Sequence, residues 1–237
     1  DPQAHRRFLV DYFCQRLEWS PAKGVVFMHN PLTGDGRITG STASLLGLEK
    51  AMEEGDETGI QGSIERILML YGIILASPGI PLIYAGDELG MLNDYSYLQE
   101  PHKVDDSRWI NRPVHDWGAV AKLADPATIA SRVFRGLSHL IDLRKQHPVL
   151  ADQDNFVVHH SGNEHLFVFE RGPGTAAGIL VMANFDQRPQ VINTTWLLKM
   201  GYVQDGKYHN LIDRKTRQVR SGLLEVMPYE ILWLGKA

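Results

Sequence analysis

Apolar residues fall at helical spacing along three stretches of this chain and at alternate positions along its last third. Phe8, Leu9, Tyr12, Phe13 and Leu17 predict an amphipathic helix over about 3–17. Residues 24–29 read as a short apolar strand. Residues 30–40, with Asn30-Pro31 and Gly34-Asp35-Gly36, read as a turn-rich loop. A second helix is predicted over 56–77, where Ile60, Ile64, Ile67, Leu68, Tyr71, Ile74 and Leu75 build a broad apolar face; Pro78 and Gly79 end it. Ile80 to Ala85 is apolar throughout, as in a parallel strand buried on both faces. A long polar loop follows. Asp125-Pro126 then predicts a third helix, with Asp as N-cap and Pro at the first helical position. Ile129, Val133, Phe134, Leu137, Leu140 and Ile141 form its apolar face, and Arg144, Lys145 and His147 place cations near its C-terminus.

After Pro148 the period changes. Strands are predicted at 156–160, 166–170, 179–185, 190–193, 208–212, 223–226 and 231–234, separated by turn signals such as Ser161-Gly162-Asn163 and Arg171-Gly172-Pro173-Gly174. They predict an antiparallel β-sandwich over 149–237. The 1–148 stretch holds one helix–strand–loop–helix unit, about one repeat of a (β/α)8 barrel that takes eight. The expected fold class is therefore α/β plus all-β: a partial barrel, its last strand and helices, followed by the sandwich. One such unit cannot bury its own strand on both faces. Either it packs on partners, or the chain is a fragment.

Composition narrows the function classes. A net charge of −4 with no long basic run disfavours nucleic acid, because phosphate neutralisation needs clustered cations. The single cysteine, Cys14, excludes an internal disulfide and a multi-cysteine zinc site. His29, His102 and the His159-His160 pair lack partners at metal spacing, so no metal or other cofactor is expected. The apolar run from Ile67 to Ala76 is too short to span a bilayer, and no membrane is expected as a partner. The first residues, Asp1-Pro2-Gln3-Ala4-His5, carry neither Met nor an apolar signal core, which points to an N-terminus upstream and leaves localisation open.

Candidate chemistry concentrates in the loop after Ala85. Asp87-Glu88 is a carboxylate pair, but neighbouring residues on an extended segment point to opposite sides and cannot both flank one glycosidic bond. The competing reading is one carboxylate capping backbone N–H groups and the other in an ion pair. Asp106-Ser107-Arg108-Trp109 is more specific. A guanidinium forks onto hydroxyls or a carboxylate and an indole stacks on a pyranose, although a surface ion pair beside a half-buried Trp has the same spelling. Arg37, after the turn-rich loop, is a loop contact to a ligand or a solvated strand-edge cation. Arg6 could hold a sugar or simply lie on the polar face of a helix.

Gly79-Ile80-Pro81-Leu82-Ile83-Tyr84-Ala85-Gly86-Asp87-Glu88-Leu89-Gly90 resembles the eighth barrel strand of the α-amylase superfamily of glycoside hydrolases (family 13). Leu92-Asn93-Asp94, Lys103, Asp105-Asp106-Ser107-Arg108-Trp109 and Arg112-Pro113 resemble the amylosucrase branch of that superfamily. So do His5-Arg6-Arg7-Phe8-Leu9 and Asn30-Pro31 with Thr33-Gly34-Asp35-Gly36-Arg37. The resemblance runs in order from His5 to Pro148, and the tail is similar to the family's C-terminal β domain. Met28-His29 and the segment Asp94 to His102 depart from the pattern.

The resemblance implies a retaining double displacement with an Asp nucleophile and a Glu acid–base. None of the family's catalytic carboxylates maps onto this sequence, so the chain alone is expected to be inactive and to need barrel segments that precede it. What maps is support. Arg108 corresponds to the arginine at the bottom of the donor glucose pocket, Arg37 to one near the acceptor position, and Arg6 to one at outer acceptor sites. Asp106 and Asp87 complete the expected substrate-binding set, and sucrose or an α-glucan is the expected substrate. Residues 1–148 correspond to the last part of the barrel, with an inserted subdomain over about 1–55, and 149–237 to the sandwich. Two other readings stand beside this one: a non-catalytic carbohydrate-binding module carried by the tail, and a fragment of a general α-amylase or α-glucosidase.

Overall fold

The structure is a computed structural model and describes residues 1–236. It divides into two compact units, Asp1–Ile67 with Ile83–Phe134, and Leu68–Leu82 with Arg135–Ala237.

The first unit opens with helix α1 (Pro2–Phe13), where the Asp1 carboxylate accepts from the N–H groups of Gln3 and Ala4. Strands β1 (Val25–Phe27) and β2 (Arg37–Thr39) form an antiparallel hairpin in which Phe27 lies opposite Arg37. Short helices α2 (Thr42–Leu45), capped by the Ser41 hydroxyl, and α3 (Leu48–Glu54) lead to α4 (Glu57–Ala76). From Ile83 the chain makes 3-10 turns at Asp87–Leu89, Ser96–Gln99 and Ser107–Asn111, then helix α5 (Trp117–Ala121) and the start of α6 (Ile129–Gln146). Leu48, Ile60, Ile64, Ile110 and Val133 are buried in this unit. Asn93 clasps it from within. Its side chain accepts from the Ser41 N–H at 2.8 Å and donates to the Lys23 carbonyl at 2.5 Å, which ties the turns after Gly90 to the hairpin and α2.

The second unit is built on a six-stranded antiparallel sheet, in the order β3 (Phe156–His159), β4 (Leu166–Arg171), β5 (Ile179–Asn184), β10 (Ile231–Gly235), β7 (Lys207–Asn210), β8 (Lys215–Gln218). A second sheet pairs β6 (Gln190–Asn193) with β9 (Leu223–Val226), and helix α7 (Thr195–Met200) follows β6. Alternation decides which residues meet. Leu166, Val168, Leu180, Met182, Leu232 and Leu234 from the large sheet pack with Ile192, Leu224 and Val226 from the small one and with Leu197 of α7. The interleaved residues Phe169, Val181 and Trp233 are fully buried on the opposite face. On that side Ile231 lies against Gly72 of α4, and the His139 ring of α6 meets the Ile212 carbonyl at 2.6 Å.

Two arginines finish α4. Its last carbonyls have no partner within the helix. Arg144 donates to the carbonyls of Leu75, Ser77 and Gly79, and Arg171 donates to that of Ala76. Arg171 also donates to Asn155 at 2.8 Å and to the Asp152 carbonyl, so this buried guanidinium is well satisfied.

The structure differs from the sequence reading at several elements. No strand forms over 80–85, and every strand pair among the described residues is antiparallel. Ile80 and Leu82 are 92% and 81% exposed. The apolar run has the composition of a buried strand, but no neighbouring strand among the described residues takes up its backbone N–H and carbonyl groups. Helix α6 starts at Ile129, not at Pro126: Asp125 caps a preceding turn, and the Thr128 hydroxyl accepts from Ser131 N–H. Helix α4 is long and apolar enough to cross a membrane by length and composition, yet Ile60, Ile64, Ile67, Tyr71 and Leu75 are buried in the fold.

Candidate functional site

The β1–β2 hairpin organises the arginines of the first unit. Residues directly opposite in an antiparallel pair carry their side chains on the same face, with Cβ atoms about 5 Å apart. The Phe27–Arg37 register therefore puts the Arg37 side chain beside the Phe27 ring. The Ser107–Asn111 turn sits against the same hairpin. Ser107 donates to the Val26 carbonyl at 3.2 Å, and Thr39 donates to the Asn111 side chain at 3.4 Å. That placement lays the Arg108 guanidinium over the Phe27 ring, 4.8 Å from its centre.

Arg108 is further held by a fork. Its Nε and one Nη donate to the two oxygens of Asp106, both at 2.8 Å. The same carboxylate accepts from the Arg108 backbone N–H at 3.0 Å, capping the turn. Hydrogen bonds from Arg108 hold the Asp106 carboxyl below the usual carboxylate range. Among the described residues Nη1 of Arg108 makes no hydrogen bond, so its donors are available.

Arg37 and Arg6 line a shallow groove of about 570 Å³, together with Gln3, Met28, Asn30 and Asp35. Arg6 is paired with Asp35 at 3.1 Å. Gln3 and Arg7 both donate to the Thr33 carbonyl and pin the start of α1 to the loop. Arg37 has no ion pair or hydrogen bond from its side chain among the described residues. Met28 holds a left-handed conformation, φ 53°, unusual for a residue with a long side chain and a local strain at the groove.

The structure thus gathers Arg6 and Arg37 on the groove, and Arg108 with Asp106 on the hairpin. Asp87 is elsewhere. It is buried and accepts from the Thr42 hydroxyl at 2.8 Å, while Glu88 accepts from the Gly86 N–H at 2.7 Å. Phe27 and Asp35 were missed by sequence reasoning. Asp35 stands in the Gly-Asp-Gly-Arg string beside Arg37, and a strand register was needed to find Phe27. Among the described residues no group of three or more His, Cys, Asp or Glu side chains is arranged to hold a metal ion.

No family model matches the chain. Over 94 residues, 39% of the chain, it is 35% identical to the glucosylglycerate phosphorylase of Escherichia coli (strain K12), of which this covers 16%. Over 174 residues, 72% of the chain, it is 28% identical to the glucosylglycerate phosphorylase of Allomeiothermus silvanus, of which this covers 27%. The chain therefore matches about a quarter or less of the length of these curated relatives. Its fold is shared with a pullulanase of Anoxybacillus sp. LM18-11 complexed with maltotetraose: TM-score 0.52, 15% identity, 82% of this chain and 26% of that one. The sequence matches are thus to parts of two glucosylglycerate phosphorylases, and the fold is one that also occurs in a pullulanase.

Proposed function

We propose that this chain is the C-terminal part of a retaining, α-glucoside-active enzyme of the amylosucrase type. Residues 1–148 would complete a (β/α)8 barrel, with an inserted subdomain over about 1–55, and 149–237 would form its C-terminal sandwich. In this reading the chain supplies walls of the sugar pocket, and the nucleophile and acid–base come from barrel segments that precede it. Arg108 holds the donor glucose, oriented by Asp106. Arg37 meets the leaving group or acceptor, and Arg6 lies further out. Asp87 acts from the interior, fixing the turn after Gly86 through the Thr42 hydroxyl. The observation that carries the proposal is the pair of guanidinium groups on one hairpin face, one with free donors and the other without a side-chain partner among the described residues.

The similarity to glucosylglycerate phosphorylases favours a second reading of the same groove. A glucoside with a carboxylate on its leaving group would suit the unpartnered Arg37, because a charge-assisted hydrogen bond is roughly twice as strong as a neutral one. Titration of the chain by calorimetry with sucrose, maltotetraose and glucosylglycerate separates the readings. Arg108→Lys should weaken every ligand that binds, and Arg37→Gln should weaken glucosylglycerate alone if the carboxylate reading holds. The purified chain should release no glucose from any of the three. Turnover comparable with a full-length enzyme of the α-amylase superfamily would defeat the proposal.

A further inference from the structure

We infer that Phe27 is a positioning residue for Arg108, and that it couples Arg108 to Arg37 through the hairpin register. The guanidinium of Arg108 has two restraints. Asp106 fixes the edge that carries Nε and one Nη, both at 2.8 Å. A carboxylate fork alone leaves the guanidinium plane free to swing about that edge, and Arg108 is a surface residue with half of its side chain open to solvent. The ring face of Phe27, 4.8 Å away, removes that swing. With edge and face both fixed, the unused Nη1 donors point in one direction.

The strand register that carries this ring also places the second cation. Phe27 and Arg37 are directly opposed, so any shift of the hairpin that carries the ring carries Arg37 with it. Ser107 and Asn111 bond the Arg108 turn to the two strands of the hairpin, at Val26 and Thr39. The hairpin thus presents two guanidinium groups as one receptor for an oxygen-rich ligand, rather than two independent surface cations. The ligand half of this inference rests on the glucoside reading; the ring–guanidinium half does not.

The test reads Arg108 directly by NMR on the intact chain, through the exchange rate and chemical shift of its Nε–H. In the unaltered protein the Arg108 side-chain protons should be shifted upfield by the ring. Phe27→Leu should remove that shift and speed Nε–H exchange roughly two- to fivefold, the size of an exposed cation–π contact. Phe27→Tyr should restore both. Backbone exchange over Val25–Thr39 reports separately whether the hairpin survives. Unshifted Arg108 protons in the unaltered chain, or unchanged Nε–H exchange in Phe27→Leu with the hairpin intact, would overturn the inference. If calorimetry finds no ligand while the NMR signature is present, the glucoside reading fails and the positioning role of Phe27 stands.

Discussion

Arg171 and Cys14 show two different uses of burial. Arg171 has no exposed surface, and its guanidinium spends its donors on Asn155 and on the carbonyls of Ala76 and Asp152. Arg171→Met keeps much of the volume and strands those carbonyls. An unsatisfied buried polar group costs about 1–3 kcal/mol, so losing these contacts should lower stability by about 3 kcal/mol in urea titration. Lys at this position should not rescue it, since a point charge cannot span three acceptors. Cys14 is the opposite case: burial pushes its thiol up to about 11 from an ordinary 9.0, partly offset by Arg16. The folded pKa is raised, so the thiol's contribution to stability is complete below about pH 9. It is lost as pH rises towards 11, because the unfolded chain ionises first. Alkylation by iodoacetamide at about pH 8 should be some hundredfold slower than in urea, since the thiolate fraction falls with each pKa unit. Equal rates in both states would show the thiol to be free.

At the level of elements, Gly72 sits inside α4, about one turn before its C-terminus, where glycine costs about 1 kcal/mol relative to alanine. A Cβ there would come within 2.8 Å of Ile231 Cδ1 and 3.2 Å of its Cγ2. Ile231 is β-branched and stiff, so overpacking of about 1–3 kcal/mol outweighs the propensity gain. Gly72→Ala should therefore lower the thermal midpoint; a rise would mean that Ile231 moves aside without cost. Elements with their own period were legible in the chain. Helices α4 and α6 and strands β3 to β7, β9 and β10 follow apolar spacing that any reader of the sequence can count. Strand β8, Lys-Thr-Arg-Gln, has no apolar alternation: it is an edge strand, held by pairing with β7, and only the partner reveals it. Helix α7 was hidden among the strands because its Leu197 alone is buried. The candidate site divides in the same way. Arg6, Arg37, Asp106 and Arg108 were legible from residue type and motif. Phe27 was not, because its role depends on a cross-strand register and on a turn 80 residues later in the sequence. The 80–85 strand was over-read for the complementary reason: composition records the environment a segment suits, and a strand also needs a hydrogen-bonding neighbour.

At the scale of the whole molecule, the exposed apolar run Ile80, Leu82 and Tyr84 is a self-association hazard. Leu82→Lys should shift light scattering of the concentrated chain towards monomer without changing the urea midpoint; unchanged scattering would locate the sticky surface elsewhere. The Arg171 anchor at the end of α4 also has a consequence in time. The two bonded residues are 95 positions apart. A ribosome adding about 5–20 residues per second needs several seconds to cover that distance. Arg144, 65 to 69 positions beyond its acceptors, is made first and closes part of the helix end, so for the rest of the interval the Ala76 carbonyl has only water as its partner.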